Sequence, residues 1–136
     1  MTALFDTGVL LAAIAENDEQ HEVSVLALEE EDELLLPDVV LSELAYLVLR
    51  DVGYPALVRF LRAVAEGELP LVSVTADDIE RAADVLEQYA DARVDFVDCV
   101  IVAMAERLNV RRILTLDRRH FSLFRPRHCP VFELLP

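Results

Sequence analysis

The chain predicts an α/β domain in which helices cover both faces of a mainly parallel sheet. Short apolar runs, Ala3 to Phe5, Leu34 to Leu36, Leu69 to Val74 and Ile113 to Leu116, alternate with longer stretches whose apolar residues recur at helical spacing. Strands separated by helices are joined by right-handed crossovers and therefore lie parallel. Two of the runs end directly on an acid, Asp6 and Asp117, and open α/β sheets place ligands at the carboxyl ends of their strands. The stretch from Val94 to Asp117 condenses the pattern into one unit: helix, turn, strand, acid. Val97, Ile101, Met104, Ala105 and Leu108 form one apolar helical stripe expected to lie on the core. Ile113, Leu114 and Leu116 fit a buried parallel strand. Asp95 and Asp98 fall in the first turn of that helix, close to its unsatisfied amides.

Taken in order, the first run stops at Asp6, Thr7 and Gly8, and Val9 to Ile14 continue as a helix. Alone, Asp6 reads as an N-cap, because Asp accepts hydrogen bonds from the amides of a first turn. A second helix is expected from about Gln20 to Glu30, with Val23, Leu26 and Ala27 facing inward. The acids Glu29 to Glu33 follow at a helix C-terminus, where the dipole disfavours them, and read as a solvated turn. Leu34, Leu35, Leu36 and Pro37 form the next strand. Val39, Val40, Leu44, Leu47 and Val48 then mark a helix from about Asp38 to Arg50. Glu43 lies inside that segment. A helical glutamate commonly points to solvent, but few polar neighbours surround this one, and a carboxylate turned inward needs a cation.

Gly53 and Pro55 interrupt the chain before a helix built on Ala56, Leu57, Phe60, Leu61 and Val64 that ends near Gly67. After the strand at Leu69 to Val74, Thr75 and Asp78 have the spacing of a capping box, with Ile79, Ala82, Ala83, Leu86 and Tyr89 as the expected inner face. Beyond Asp117, Phe121 and Phe124 pack the domain, and Val131, Phe132 and Leu134 suggest a last strand. No repeat, linker or boundary divides the chain, so residues 1–136 read as one domain.

At 136 residues with 54% hydrophobic content and only three glycines, such a domain buries about two-thirds of its unfolded surface and folds without disulfides or a structural metal. No apolar run approaches the ~20 residues of a membrane span, and Asp6 stands where a secretory signal carries Lys or Arg, so a cytoplasmic protein is expected. Cys99 and Cys129 form no metal-binding pair and read as small hydrophobes. A net charge of −14 excludes a protein that coats nucleic acid by neutralising phosphates. It leaves either a solvated acidic surface or carboxylates gathered for metal ions. All 12 basic residues are arginine, and seven crowd positions 107 to 127 around Asp117. An acidic pocket beside guanidinium groups suits a phosphate-bearing substrate.

Four acids share one topological address: Asp6 after the first strand, Glu43 in the helix after Pro37, Asp98 opening the central helix, and Asp117 after the next strand. If the first strand neighbours the one at Ile113, Asp6 and Asp117 meet. Two carboxylates about 4 Å apart repel by around 4 kcal/mol at an effective dielectric near 20, so either a proton is shared or a divalent cation binds. Oxygen-only ligation favours Mg²⁺ or Mn²⁺ over Zn²⁺.

The segments LFDTGVLLA, PDVVLSELAYLV, DFVDCVIVAMAERL and ILTLDRRHF, in this order along the whole chain, resemble those of PIN-domain ribonucleases, most closely the VapC toxins of toxin–antitoxin pairs. The resemblance implies a three-layer α/β/α sandwich around a parallel sheet, and an acidic quartet, Asp6, Glu43, Asp98 and Asp117, that hydrolyses RNA with Mg²⁺ or Mn²⁺. Asp6, Asp98 and Asp117 are the implied metal ligands, with Glu43 binding through water or accepting the water's proton. One position departs from the pattern: many relatives carry an acid immediately before the last phenylalanine, and here that residue is His120, which leaves Asp117 as the fourth acid. Asp95 reads as a helix cap or as support for the site, and Thr7, Ser42 and Thr115 as caps or as groups that orient carboxylates. Arg118 and Arg119 are the candidates for contact with RNA, and His120 either meets a phosphate or packs beside Phe121.

The resemblance further implies a small antitoxin that inserts a segment into the acidic pocket, and pairing of two copies of this chain. Two other readings fit the residues alone: a non-catalytic acidic binding module, and a metal-dependent phosphatase or DNA nuclease. Metal affinity together with a preference for single-stranded RNA over DNA separates the three.

Overall fold

A computed structural model describes residues 1–136. Five parallel strands, β1 (Thr2–Phe5), β2 (Glu33–Pro37), β3 (Leu71–Val72), β4 (Arg112–Leu114) and β5 (Glu133–Leu135), lie in the order β3-β2-β1-β4-β5. From β1 the chain first builds outward to β2 and β3, then returns to the other side of β1 for β4 and β5. This reversal is decisive for function, because connections leave β1 and β4 in opposite directions and open a crevice at their carboxyl ends. Phe5 is in register with Leu114, so Asp6 and the segment leading to Asp117 emerge side by side.

The helices are α1 (Thr7–Ile14), α2 (His21–Glu29), α3 (Asp38–Asp51), α4 (Tyr54–Ala65), α5 (Ala76–Gln88), α6 (Phe96–Leu108) and the short α7 (Arg118–Phe121). None is long and apolar enough to cross a membrane. Ala3, Leu4 and Phe5 of β1 are fully buried, as a central strand covered on both faces requires. The expected apolar stripe of α6 proves too narrow: the seven consecutive residues Cys99 to Ala105 are all buried. A helix enclosed all round reads as continuously apolar, and α6 is packed against both α3 and α5.

Three other expectations are corrected. On α2 the inner face is Ser24 and Ala27, while Val23 and Leu26 are exposed. On α5 Asp78, Ala82 and Val85 turn inward, and Ile79 (49% exposed) and Ala83 turn out. On both helices a polar residue, Ser24 or Asp78, occupies a buried position, which the apolar pattern cannot register. The capping box forms as expected, Thr75 and Asp78 bonding each other's backbone amides at 3.0 and 3.1 Å. Asp78 also receives the Arg107 guanidinium at 2.9 Å, and Arg81 pairs with Glu106 at 2.8 Å, so two ion pairs bolt α5 to α6.

The third correction concerns the acidic run. Glu31 is not solvated: its side chain has 0% exposure and takes Arg112 of β4 at 2.6 Å. The neighbouring Asp32 meets the N-terminal amine. Glu31 and Asp32 are offset by Arg112 and the N-terminal amine, while Glu29, Glu30 and Glu33 stay exposed to solvent as expected.

Candidate active site

Asp6, Thr7, Gly8, Glu43, Asp95, Val97, Asp98, Leu116 and Asp117 line a cavity of about 330 Å³ at the crevice between β1 and β4. The chain delivers these acids from four separate places. Asp6 caps α1, its Oδ1 accepting from the Gly8 amide at 3.2 Å. Asp95 caps α6 and accepts from the Asp98 amide at 2.8 Å, which leaves the Asp98 side chain one turn in and directed at the pocket. Asp117 caps α7 through the Arg119 amide at 3.1 Å. Glu43 is exposed on α3 yet still lines the cavity, so it is neither buried nor turned away.

Thr115 links the first and last of these acids. It is fully buried, its hydroxyl donates to Asp6 Oδ2, and its oxygen accepts from the Asp117 amide at 3.1 Å. Of the two alternatives the sequence left open, Thr115 takes the orienting one: α7 is capped by Asp117, and Thr115 holds Asp6 against the Asp117 backbone. Thr7 is buried in the pocket wall, whereas Ser42 is exposed and stands outside it.

Burial raises the Asp6 carboxyl from 3.8 to about 6, and the Asp117 charge adds to this, while bonds from Thr115, Gly8 and Val9 pull the other way. Asp98 rises to about 7, first through burial and then through the charges of Asp95 and Asp6. His120 opposes that rise, with its Nδ1 3.4 Å from Asp98 Oδ2. The ring backs Asp98. Nothing in the sequence signals this contact, since 22 residues separate the two. The donors are all oxygen, and they share a cavity without any three His, Cys, Asp or Glu side chains being gathered round one point.

The two arginine candidates part company. Arg118 donates to the carbonyls of Leu134, at 3.1 Å, and Pro136, which ties it to the end of the chain. Arg119 is exposed and lines a neighbouring cavity with His120.

A parallel sheet with this crevice and a carboxylate-lined pocket defines an open α/β class with an acidic site, and the model of the PIN domain matches residues 3–125. The chain belongs to the PIN-domain family. Ribonuclease VapC26 of Mycobacterium tuberculosis is 38% identical to it over 134 residues, 98% of this chain and 99% of that protein. Among solved structures, the sarcin–ricin loop cleaving toxin VapC20 of Mycobacterium tuberculosis superposes with a TM-score of 0.75 at 21% identity, covering 82% of this chain and 86% of its own. VapBC2 of Rickettsia felis, solved with a fragment of promoter DNA, matches all of both chains with a TM-score of 0.71 at 16% identity. At such identities these two structures share the fold with this chain.

Proposed function

We propose that this chain is a metal-dependent endoribonuclease and the toxin of a toxin–antitoxin pair. One observation carries the chemistry: Asp6 and Asp98, both largely buried and both pushed up, face a pocket that Asp95 and Asp117 also line. Carboxyls raised by burial and by one another are ionised together once a cation shares their charge. The all-oxygen donor set fits Mg²⁺ or Mn²⁺. The 38% identity to ribonuclease VapC26 across nearly the whole of both chains supports RNA as the substrate.

In this reading Asp6, Asp98 and Asp117 hold the ion, which when bound lowers the pKa of a water and stabilises charge on the phosphodiester. Thr115 keeps Asp6 at its angle and ties it to the Asp117 backbone. Asp95 fixes the first turn of α6, and His120 steadies the Asp98 carboxylate from behind. Glu43, exposed at the pocket edge, is free to accept the proton of the attacking water.

A small antitoxin is the proposed restraint. Structures of similar fold include a toxin–antitoxin complex from Klebsiella pneumoniae, with a TM-score of 0.69 at 16% identity. On this chain an apolar groove of about 460 Å³, lined by Leu10, Ile14, Ala56 and Phe60 among others, supports a protein partner. Pairing of two copies belongs to the same proposal and is read by sedimentation of the purified protein.

The test is cleavage of a labelled tRNA and total-RNA pool by protein freed of antitoxin, with Mg²⁺, with Mn²⁺ and with EDTA, beside Asp98→Ala. Discrete cuts that need the ion and vanish in the variant are expected. Cleavage that persists in EDTA, or in Asp98→Ala, overturns the assignment.

A further inference from the structure

Arg93 and Arg119 lie 26 positions apart in sequence, yet with His120, Ala92 and Leu123 they line one cavity of about 370 Å³. His120 connects this cavity to the acidic pocket: it lines the first, and its Nδ1 lies 3.4 Å from Asp98, which lines the second. In a chain of net charge −14, six of the twelve guanidinium groups are already engaged. Arg50, Arg81, Arg107 and Arg112 are paired with carboxylates, and Arg118 and Arg125 donate to backbone carbonyls. Arg93 and Arg119 make no such bond; both are exposed, and they converge on the one basic hollow that adjoins the acids.

We infer that this hollow seats a phosphate of the RNA backbone next to the one being cut, with Arg93 and Arg119 as positioning residues. This rests on the ribonuclease reading. The pocket of carboxylates repels a polyanion, so a strand needs a cationic foothold beside it to bring the scissile phosphate in. Two forked guanidinium groups recognise phosphate oxygens, and Ala92 and Leu123 leave the floor between them free of competing carboxylates. The hollow thereby sets the register of the strand, while the acids set the chemistry.

The experiment uses a 5′-labelled oligoribonucleotide spanning a site that the wild-type protein cuts in Mg²⁺. Arg93→Gln and Arg119→Gln are each expected to raise KM about tenfold with kcat within about threefold of wild type, the scale of losing one charge-assisted bond. The dependence of log KM on log salt should flatten by ~0.7 per phosphate contact removed. Arg62→Gln, an exposed arginine on α4, should leave both parameters unchanged. If the variants keep the wild-type KM and salt dependence, the inference is overturned while the nuclease stands. If they do so but resist inhibition by antitoxin, the hollow belongs to the protein partner and the inference is likewise overturned. A wild-type protein that cuts no RNA removes the nuclease reading and this one with it.

Discussion

Replacing Asp6 by Asn should stabilise the ion-free protein while abolishing cleavage, and the size of the effect follows from the pocket. Burial holds the Asp6 carboxyl at about 6 against an ordinary 3.8. Its ionisation in the folded state therefore costs about 3 kcal/mol at ~1.4 kcal/mol per pH unit. The folded protein binds the proton more tightly than the unfolded chain, so this cost is absent below pH ~4, grows as pH rises, and is complete above about 7. Asn leaves no polar atom stranded. Its carbonyl accepts from Gly8 as Oδ1 now does, its amide donates to Thr115 Oγ1, and the Thr115 proton turns to the Asp117 carbonyl 3.1 Å away. Removing the charge also relieves Asp98. Allowing for relaxation around the charged form, the gain at pH 8 in EDTA is about 2 kcal/mol, or ~8 °C in Tm for a domain of this size. Differential scanning fluorimetry of both proteins from pH 4.5 to 8 measures it. The expected difference is near zero at the acid end and rises toward pH 8, and millimolar Mg²⁺ narrows it by raising the wild type alone. A Tm difference that does not change with pH would falsify the electrostatic account. A destabilised Asp6→Asn protein at pH 8 would show that the hydrogen bonds matter more than the charge.

Thr115→Val keeps the shape of the side chain but removes the hydroxyl bridge between Asp6 and the Asp117 amide; a loss of about 2 kcal/mol in urea unfolding and at least tenfold in cleavage is expected, and an unchanged kcat would sink the positioning role. Arg112→Met strands the Glu31 carboxylate, which has 0% side-chain exposure, beside a cation site it has lost. It should cost about 3 kcal/mol by urea titration, whereas the double change Glu31→Leu with Arg112→Met should recover most of it. Burial pushes the Cys99 thiol up to about 12, with the charges of Asp98 and Asp95 adding to this. Cys99 should accordingly resist a thiol reagent at pH 8 until the protein is denatured, and rapid labelling of the native fold would contradict its buried placement.

The sequence by itself determined the local elements and the kinds of chemistry available. Short apolar runs between amphipathic segments specify parallel strands and crossovers, and the alternation needs no knowledge of contacts because it reflects what each segment must bury. Acids at the ends of strands and at helix starts are visible for the same reason: Asp6 and Asp95 have the positions of caps, and the structure shows each capping a helix, whereas the cap that Asp117 makes on the short α7 was not legible. Only the tertiary structure decided which of these acids share a pocket. The pairing of β1 with β4, more than a hundred residues apart in sequence, brings Asp6 to Asp117 and lets Thr115 bridge them. It also turned Glu31 from an apparent surface charge into a buried partner of Arg112, while packing elsewhere placed Ser24 and Asp78 inward on α2 and α5. Periodicity counts apolar residues and treats polar ones as outward, so a buried polar group whose partner lies far along the chain escapes it. His120 against Asp98, and Arg93 beside Arg119, are cases of the same kind: both depend on where α7 meets the start of α6, and that meeting is set by packing, which no local pattern encodes.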